Sequence, residues 1–163
     1  MIANGILLHR EIDFYTDNHP IVSMSKDKLR KRYRHYAGVI VDMYYDYFLA
    51  KNFDQYSNIP LADFAQSSYE VMQKHWDIIP TKGQKMLPYM IKGNWLVNYA
   101  NPEGIHRALQ GLSRRTKFDS KLDIAIQDLY EYQDAFESEF HAFFKEIVLH
   151  ISQFREDLIN SPT

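Results

Sequence analysis

Ile2, Ile6, Leu8, Ile12 and Tyr15 fall on one stripe at helical spacing, which predicts a first helix from Ile2 to about Tyr15 with His9 and Asp13 beside the stripe. Pro20 disfavours helical geometry at His19, so that helix should stop by Asp17 or Asn18, leaving Thr16-Asp17-Asn18-His19 as an exposed polar turn. A second helix is predicted from Ile21 to Tyr33. A third, from Ala37 to about Asn52, carries Val39, Ile40, Val41, Met43, Tyr44, Tyr45, Tyr47, Phe48 and Leu49 on nearly every side, the pattern of a buried helix. The loop Asn58-Ile59-Pro60 opens a fourth helix that runs to about His75 or Trp76, with its proline near the first turn as helices favour. Ile79-Pro80-Thr81-Lys82-Gly83 breaks it. Residues 82–100 read as one or two short helices, interrupted by Pro88 and Gly93 and packed through Trp95, Leu96 and Tyr99. Pro102-Glu103 opens another helix to about Arg115, and from Lys121 to about Ile159 no proline or glycine interrupts a long amphipathic helix, straight or bent. The pattern predicts one all-α domain over residues 1–163, a helical bundle.

Length and composition agree with that picture and narrow the chemistry. The 163 residues suffice for one domain with a real core, and 45% hydrophobic with 25% charged residues is ordinary for a globular protein. A net charge of -2 gives no global pull toward nucleic acid, so any basic surface must be local. With no cysteine, the chain has no disulfide, thiolate metal site or cysteine nucleophile, which fits the cytoplasm. No apolar run of roughly eighteen residues suggests a membrane span. The 12 tyrosines must each place a hydroxyl when buried, so a tyrosine-rich core should be partly polar.

Three features carry candidate chemistry. His9 and Asp13, and then Asp13 and Asp17, are four residues apart, so on a helix they stack along one face, either as a surface contact or as a ladder of ligands for a divalent cation. Asp42 and Asp46 lie one turn apart on the otherwise apolar third helix, where carboxylates need a cation, an arginine or hydrogen-bond donors to offset burial. Finally, Lys26, Lys28, Arg30, Lys31, Arg32 and Arg34 crowd the second helix against a single acid, Asp27. This concentrated positive field is either a solvated face or a docking surface for an acidic partner. It lacks a nucleic-acid reading motif, which ranks nucleic acid last.

Several strings are more specific than spacing. Gly5-Ile6-Leu7-Leu8-His9-Arg10-Glu11-Ile12-Asp13, Thr16-Asp17-Asn18-His19-Pro20 and Asp42-Met43-Tyr44-Tyr45-Asp46-Tyr47-Phe48-Leu49 come first. Trp95-Leu96 with Tyr99, Gly104-Ile105 and Gly111-Leu112-Ser113-Arg114-Arg115 follow. Together, and in this order, they resemble the acyl carrier protein phosphodiesterase family over most of the chain. The resemblance implies an all-helical fold distantly related to the HD-type metal phosphohydrolases. It also implies a manganese-dependent enzyme of fatty acid biosynthesis that removes 4'-phosphopantetheine from holo acyl carrier protein. On that basis His9, Asp13, Asp42 and Asp46 are candidate metal ligands, Asp17 and His19 could orient water or pass a proton, and Arg10, Arg114 and Arg115 could neutralise phosphate. Lys28, Arg30, Lys31, Arg32 and Arg34 become the candidate docking surface for an acidic carrier protein.

Two departures from the family pattern set a further expectation. Members usually begin with another helix and loop bearing an Asn-Phe-Leu-Ala-His-like motif and a catalytic aspartate, and this sequence starts just after them. They also commonly carry histidine where Tyr47 stands. The chain as given is therefore expected to be slow or inert toward holo carrier protein, and a version extended upstream to be active. A groove where that helix would sit would invite a homodimer or a cavity. The rival readings are a phosphohydrolase acting on a nucleotide or other phosphoester, and a helical binding protein that has lost catalysis.

Overall fold

The computed structural model describes residues 2–160, with side chains from Asn4 onward, so Ile2 of the expected stripe lies outside the described side chains. Among the described residues there is no strand. The helices are α1 (Ile2–Asn18), α2 (Pro20–Tyr33), α3 (Ala37–Lys51), α4 (Leu61–Lys74), α5 (Thr81–Lys92), α6 (Trp95–Asn98), α7 (Pro102–Ser113), α8 (Ile126–Glu131) and α9 (Gln133–Asn160). The all-α class expected from the sequence is what forms. Contacts gather into two compact units, a terminal unit of Met1–Val41 with Asp128–Thr163 and a central unit of Asp42–Gln127.

In the terminal unit α1, α2 and α9 pack mutually. On α2, Val22, Ser25, Leu29 and Tyr33 are buried, and on α9 Phe136, Phe140, Phe143 and Ile147, both sets spaced by three and four residues as one helix face requires. α1 ends at Asn18, as Pro20 dictates, and Pro20 then starts α2 at the position where a missing N–H costs nothing. The apolar stripe of α1 is only partly covered: Ile6 is 50% exposed and Ile12 37%.

In the central unit α6 contacts α4, α5 and α7, and the 3₁₀ turn Leu122–Ile124 packs on α7. α5 runs straight through Pro88, which was expected to interrupt it, and ends instead at Gly93, after which Asn94 takes a left-handed conformation (φ 43°). Pro88 removes one backbone hydrogen bond, but burial of Leu87 on the packed face holds the helix together. The expected continuous helix from Lys121 is broken into the 3₁₀ turn, α8 and α9. Its start is captured by side chains instead: Ser120 is buried, its Oγ lies 3.3 Å from that of Ser113 and 3.2 Å from that of Thr116, and it accepts from the Leu122 N–H. Local propensity yields there to tertiary contacts.

The tyrosine-rich core is partly polar, as anticipated. Tyr33 donates to Asp128 in the terminal unit, while in the central unit Tyr44 donates to the Ala125 carbonyl and Tyr69 accepts from the Leu96 N–H at 3.0 Å. No buried side-chain polar atom among the described residues lacks a partner.

Candidate active site

The central unit holds a cavity of about 620 Å³, within the ~300–1,000 Å³ range of small-ligand pockets. α7 forms one wall. Gly104, Arg107, Ala108, Gly111 and Leu112, with Arg115 just past the helix end, recur at three- and four-residue spacing and line the cavity, while Ile105 and Leu109 are buried. Two glycines on this face do opposite jobs. A Cβ at Gly104 would meet the Asn98 carbonyl oxygen at 1.9 Å, so only glycine lets α7 come this close to α6. A Cβ at Gly111 would meet nothing within 4 Å, because the space in front of it belongs to the cavity.

α3 supplies Met43 and Asp46, α5 Met86 and Met90, and α6 Trp95, Leu96 and Asn98 with Tyr99 beside them. The walls are therefore mainly thioether, indole and aliphatic surface, into which one carboxylate, one phenol and two guanidinium groups project. Asp46 is open to the solvent in the cavity, yet protein crowds it on most sides. That crowding desolvates its carboxylate and, with repulsion from Asp42 one turn earlier, pushes its pKa up to about 7. Tyr99 is pushed up to about 12, by burial first and then by the charges of Asp46 and Tyr69, so it keeps its proton at neutral pH and can donate a hydrogen bond. Arg107 and Arg115 make no ion pair with any described residue. A carboxyl group able to exchange a proton near neutrality thus shares an apolar pocket with two cations that lack a protein counterion, an arrangement suited to an anionic ester with an apolar or neutral tail.

The other residues singled out in the sequence fall elsewhere. His9 and Asp13 contact each other at 3.0 Å on the surface of α1, with side chains 75% and 62% exposed. Asp17 pairs with Lys26 at 3.1 Å, and Arg10 is exposed. His19 is buried rather than displayed at an open corner. Its Nδ1 accepts from the Ile21 N–H and caps α2, its Nε2 meets Glu146 at 3.1 Å, and its ring lies against Tyr15 and Phe143. Both ring nitrogens are therefore engaged. Arg114 is exposed at the end of α7 and is not among the residues lining the cavity, whereas Arg115 is. On the basic helix Lys26, Lys28, Arg30 and Arg32 pair with Asp17, Glu139, Asp27 and Asp128 respectively. Lys31 and Arg34 are exposed and without an ion pair among the described residues.

Arg107 was missed by sequence reasoning, which looked for arginine at the end of the helix. The signal was present in the run Gly104, Arg107, Ala108, Gly111, Arg115, a face of small residues carrying cations at helical spacing. As for metal binding, no group of three or more histidine, aspartate or glutamate residues lies close enough to hold an ion among the described residues. Asp42 and Asp46 nevertheless offer two hard oxygen donors whose mutual repulsion a divalent cation would relieve, and ions of the magnesium and manganese type are often held by one or two carboxylates with substrate oxygens completing the shell.

Comparison with known proteins agrees with the sequence motifs. Residues 1–147 match the family model described as acyl carrier protein phosphodiesterase. Relatives bearing that name include one from Enterobacter sp. (strain 638), 31% identical over 150 residues that cover 91% of this chain and 77% of the relative. One from Escherichia coli (strain K12 / DH10B) is 30% identical over 154 residues, 93% of this chain and 79% of the relative. Another, from Photorhabdus laumondii, is 29% identical over 144 residues, 88% and 73%. No solved structure gives a significant match. Motif order, family match and relatives together show that the chain belongs to the acyl carrier protein phosphodiesterase family.

Proposed function

We propose that this chain hydrolyses the phosphodiester joining 4'-phosphopantetheine to a serine of holo acyl carrier protein, and that the bond is broken in the cavity of the central unit. The observation that carries this reading is the convergence of Asp46, Arg107 and Arg115 on one apolar pocket, in a member of a family named for that reaction. Water adds to phosphorus, the bond from phosphorus to the serine oxygen breaks, and the serine oxygen takes up a proton. The products are the apo carrier and free 4'-phosphopantetheine. Arg107 and Arg115 grip the non-bridging phosphate oxygens and offset the charge that builds on them. The Tyr99 hydroxyl, protonated at neutral pH, donates a hydrogen bond toward the reacting phosphoryl group. Met86, Met90 and Trp95 give the cavity an apolar wall.

Asp42 and Asp46 would hold a divalent cation of the manganese type. When bound it would polarise the phosphoryl oxygen and lower the pKa of a coordinated water. His9 and Asp13 are the other candidate ligands read from the sequence, and metal uptake by Asp13→Ala and Asp46→Ala variants tests the two pairs separately. The exposed Arg30, Lys31 and Arg34 offer the carrier, an acidic helical protein, a positive face on which to dock. Mass spectrometry of holo carrier protein incubated with the chain and manganese tests the reaction. Conversion to the apo form is expected, and a folded chain that never produces it would refute the assignment.

A further inference from the structure

Resting on the reaction proposed above, we infer that the cavity is a slot for the phosphopantetheine arm itself, with Arg107 holding its phosphate and Gly111 setting the room for its chain. Three observations point the same way. Arg107, midway along α7, and Arg115, just past its end, line the cavity without an ion pair among the described residues, which marks the place of the anion. The lining also holds Met43, Met86, Met90, Trp95 and Leu96, adaptable thioethers and an indole suited to a flexible neutral chain with few charges of its own. Between the two arginines on the same face of α7 lies Gly111, whose missing side chain leaves open space where any larger residue would project into the slot. Gly104 is the contrast that makes this informative. Its glycine is required by backbone approach to Asn98, whereas nothing in the packing of α7 requires glycine at 111. A glycine in a helix interior costs stability relative to alanine without such a reason, and the volume it leaves to the ligand supplies one.

The slot recognises the arm apart from the carrier, so free 4'-phosphopantetheine, the reaction product, should bind and inhibit. Calorimetric titration of the chain with 4'-phosphopantetheine, pantetheine and inorganic phosphate tests this. The phosphorylated arm should bind at least tenfold more tightly than either fragment. Arg107→Ala should weaken 4'-phosphopantetheine roughly tenfold or more while leaving pantetheine nearly unchanged, since a charged hydrogen bond to phosphate is lost. Gly111→Met should weaken both arm-containing ligands. Arg107 is exposed and a Cβ at 111 meets nothing, so both variants should keep wild-type circular dichroism and melt no lower than wild type. Inorganic phosphate binding as tightly as the arm, or Gly111→Met leaving every affinity unchanged, would overturn the slot. Binding of 4'-phosphopantetheine by a chain that fails to release it from holo carrier would support the slot and sink the reaction. Hydrolysis at full rate by Gly111→Met with no measurable product binding would do the reverse.

Discussion

The two compact units handle charge in opposite ways. In the terminal unit the buried and half-buried polar groups are spent on one another: His19 on Glu146 and the α2 cap, His150 on Glu11 at 2.7 Å, Lys28 on Glu139, and Arg32 and Tyr33 on Asp128. In the central unit Arg107 and Arg115 project into a cavity without ion pairs among the described residues, and Asp46 is held there with its proton affinity raised. Satisfied pairs fix a structure, while unsatisfied charge held in place by a rigid frame is available to a ligand. The contrast assigns scaffolding to the terminal unit and chemistry to the central one.

The sharpest way to break that contrast is to remove charge in each unit and compare. Asp46→Asn should cut turnover of holo carrier by about 10²–10⁴-fold with little loss of stability, the usual scale for a group acting on the reacting centre. Arg107→Ala should raise KM more than it lowers kcat, with a combined loss of roughly ten- to a hundredfold in steady-state kinetics. Asp128→Asn should leave kcat intact but lower stability by about 1–3 kcal/mol in urea melts, because the buried Tyr33 hydroxyl loses its charged acceptor. Equal kinetic damage from Asp128→Asn would erase the distinction between units.

The glycine pair sharpens the comparison within α7. Gly104→Ala should destabilise the chain by about 1–3 kcal/mol, since α7 would have to move away from the Asn98 carbonyl. Gly111→Ala should stabilise it by about 0.5–1 kcal/mol while narrowing the slot.

The acid pair predicts a pH effect of definite sign. The Asp46 pKa is raised in the folded chain to about 7 from its ordinary 3.8, so between those values the folded state binds more protons than the unfolded state. This contribution to stability is complete below the ordinary value and is lost as pH rises through the raised one. The Tm of the chelator-treated chain should therefore fall between about pH 4 and about pH 7, and Asp46→Asn should flatten that slope. The smallest effect expected is on docking: reversing charge at Arg30, Lys31 and Arg34 should slow association with the carrier, most visibly at low salt.

How much of this was legible beforehand depended on the kind of physics involved. The bounds of α1 and α2 followed from Pro20, and the buried faces of α3 and α9 from spacing, because local sterics and periodicity govern both. Asp42 and Asp46 stood out as acids on an apolar helix; both are exposed rather than enclosed, and Asp46, not Asp42, lines the cavity. The continuity of α5 through Pro88 and the break ahead of α9 were not legible, since both depend on packing between segments distant in sequence. Likewise, the engagement of both His19 nitrogens involves a partner 127 residues away, and Arg107 acquires meaning only once α3, α5 and α6 close the cavity opposite it.

The account stands most directly on turnover of holo acyl carrier protein by three matched chains, wild type, Asp46→Asn and Asp128→Asn, each verified as folded and followed by the mass of the carrier. Conversion to the apo form by wild type and Asp128→Asn, with none by Asp46→Asn, is the predicted result. Conversion by Asp46→Asn at the wild-type rate would contradict the claim that the chemistry resides in the central cavity.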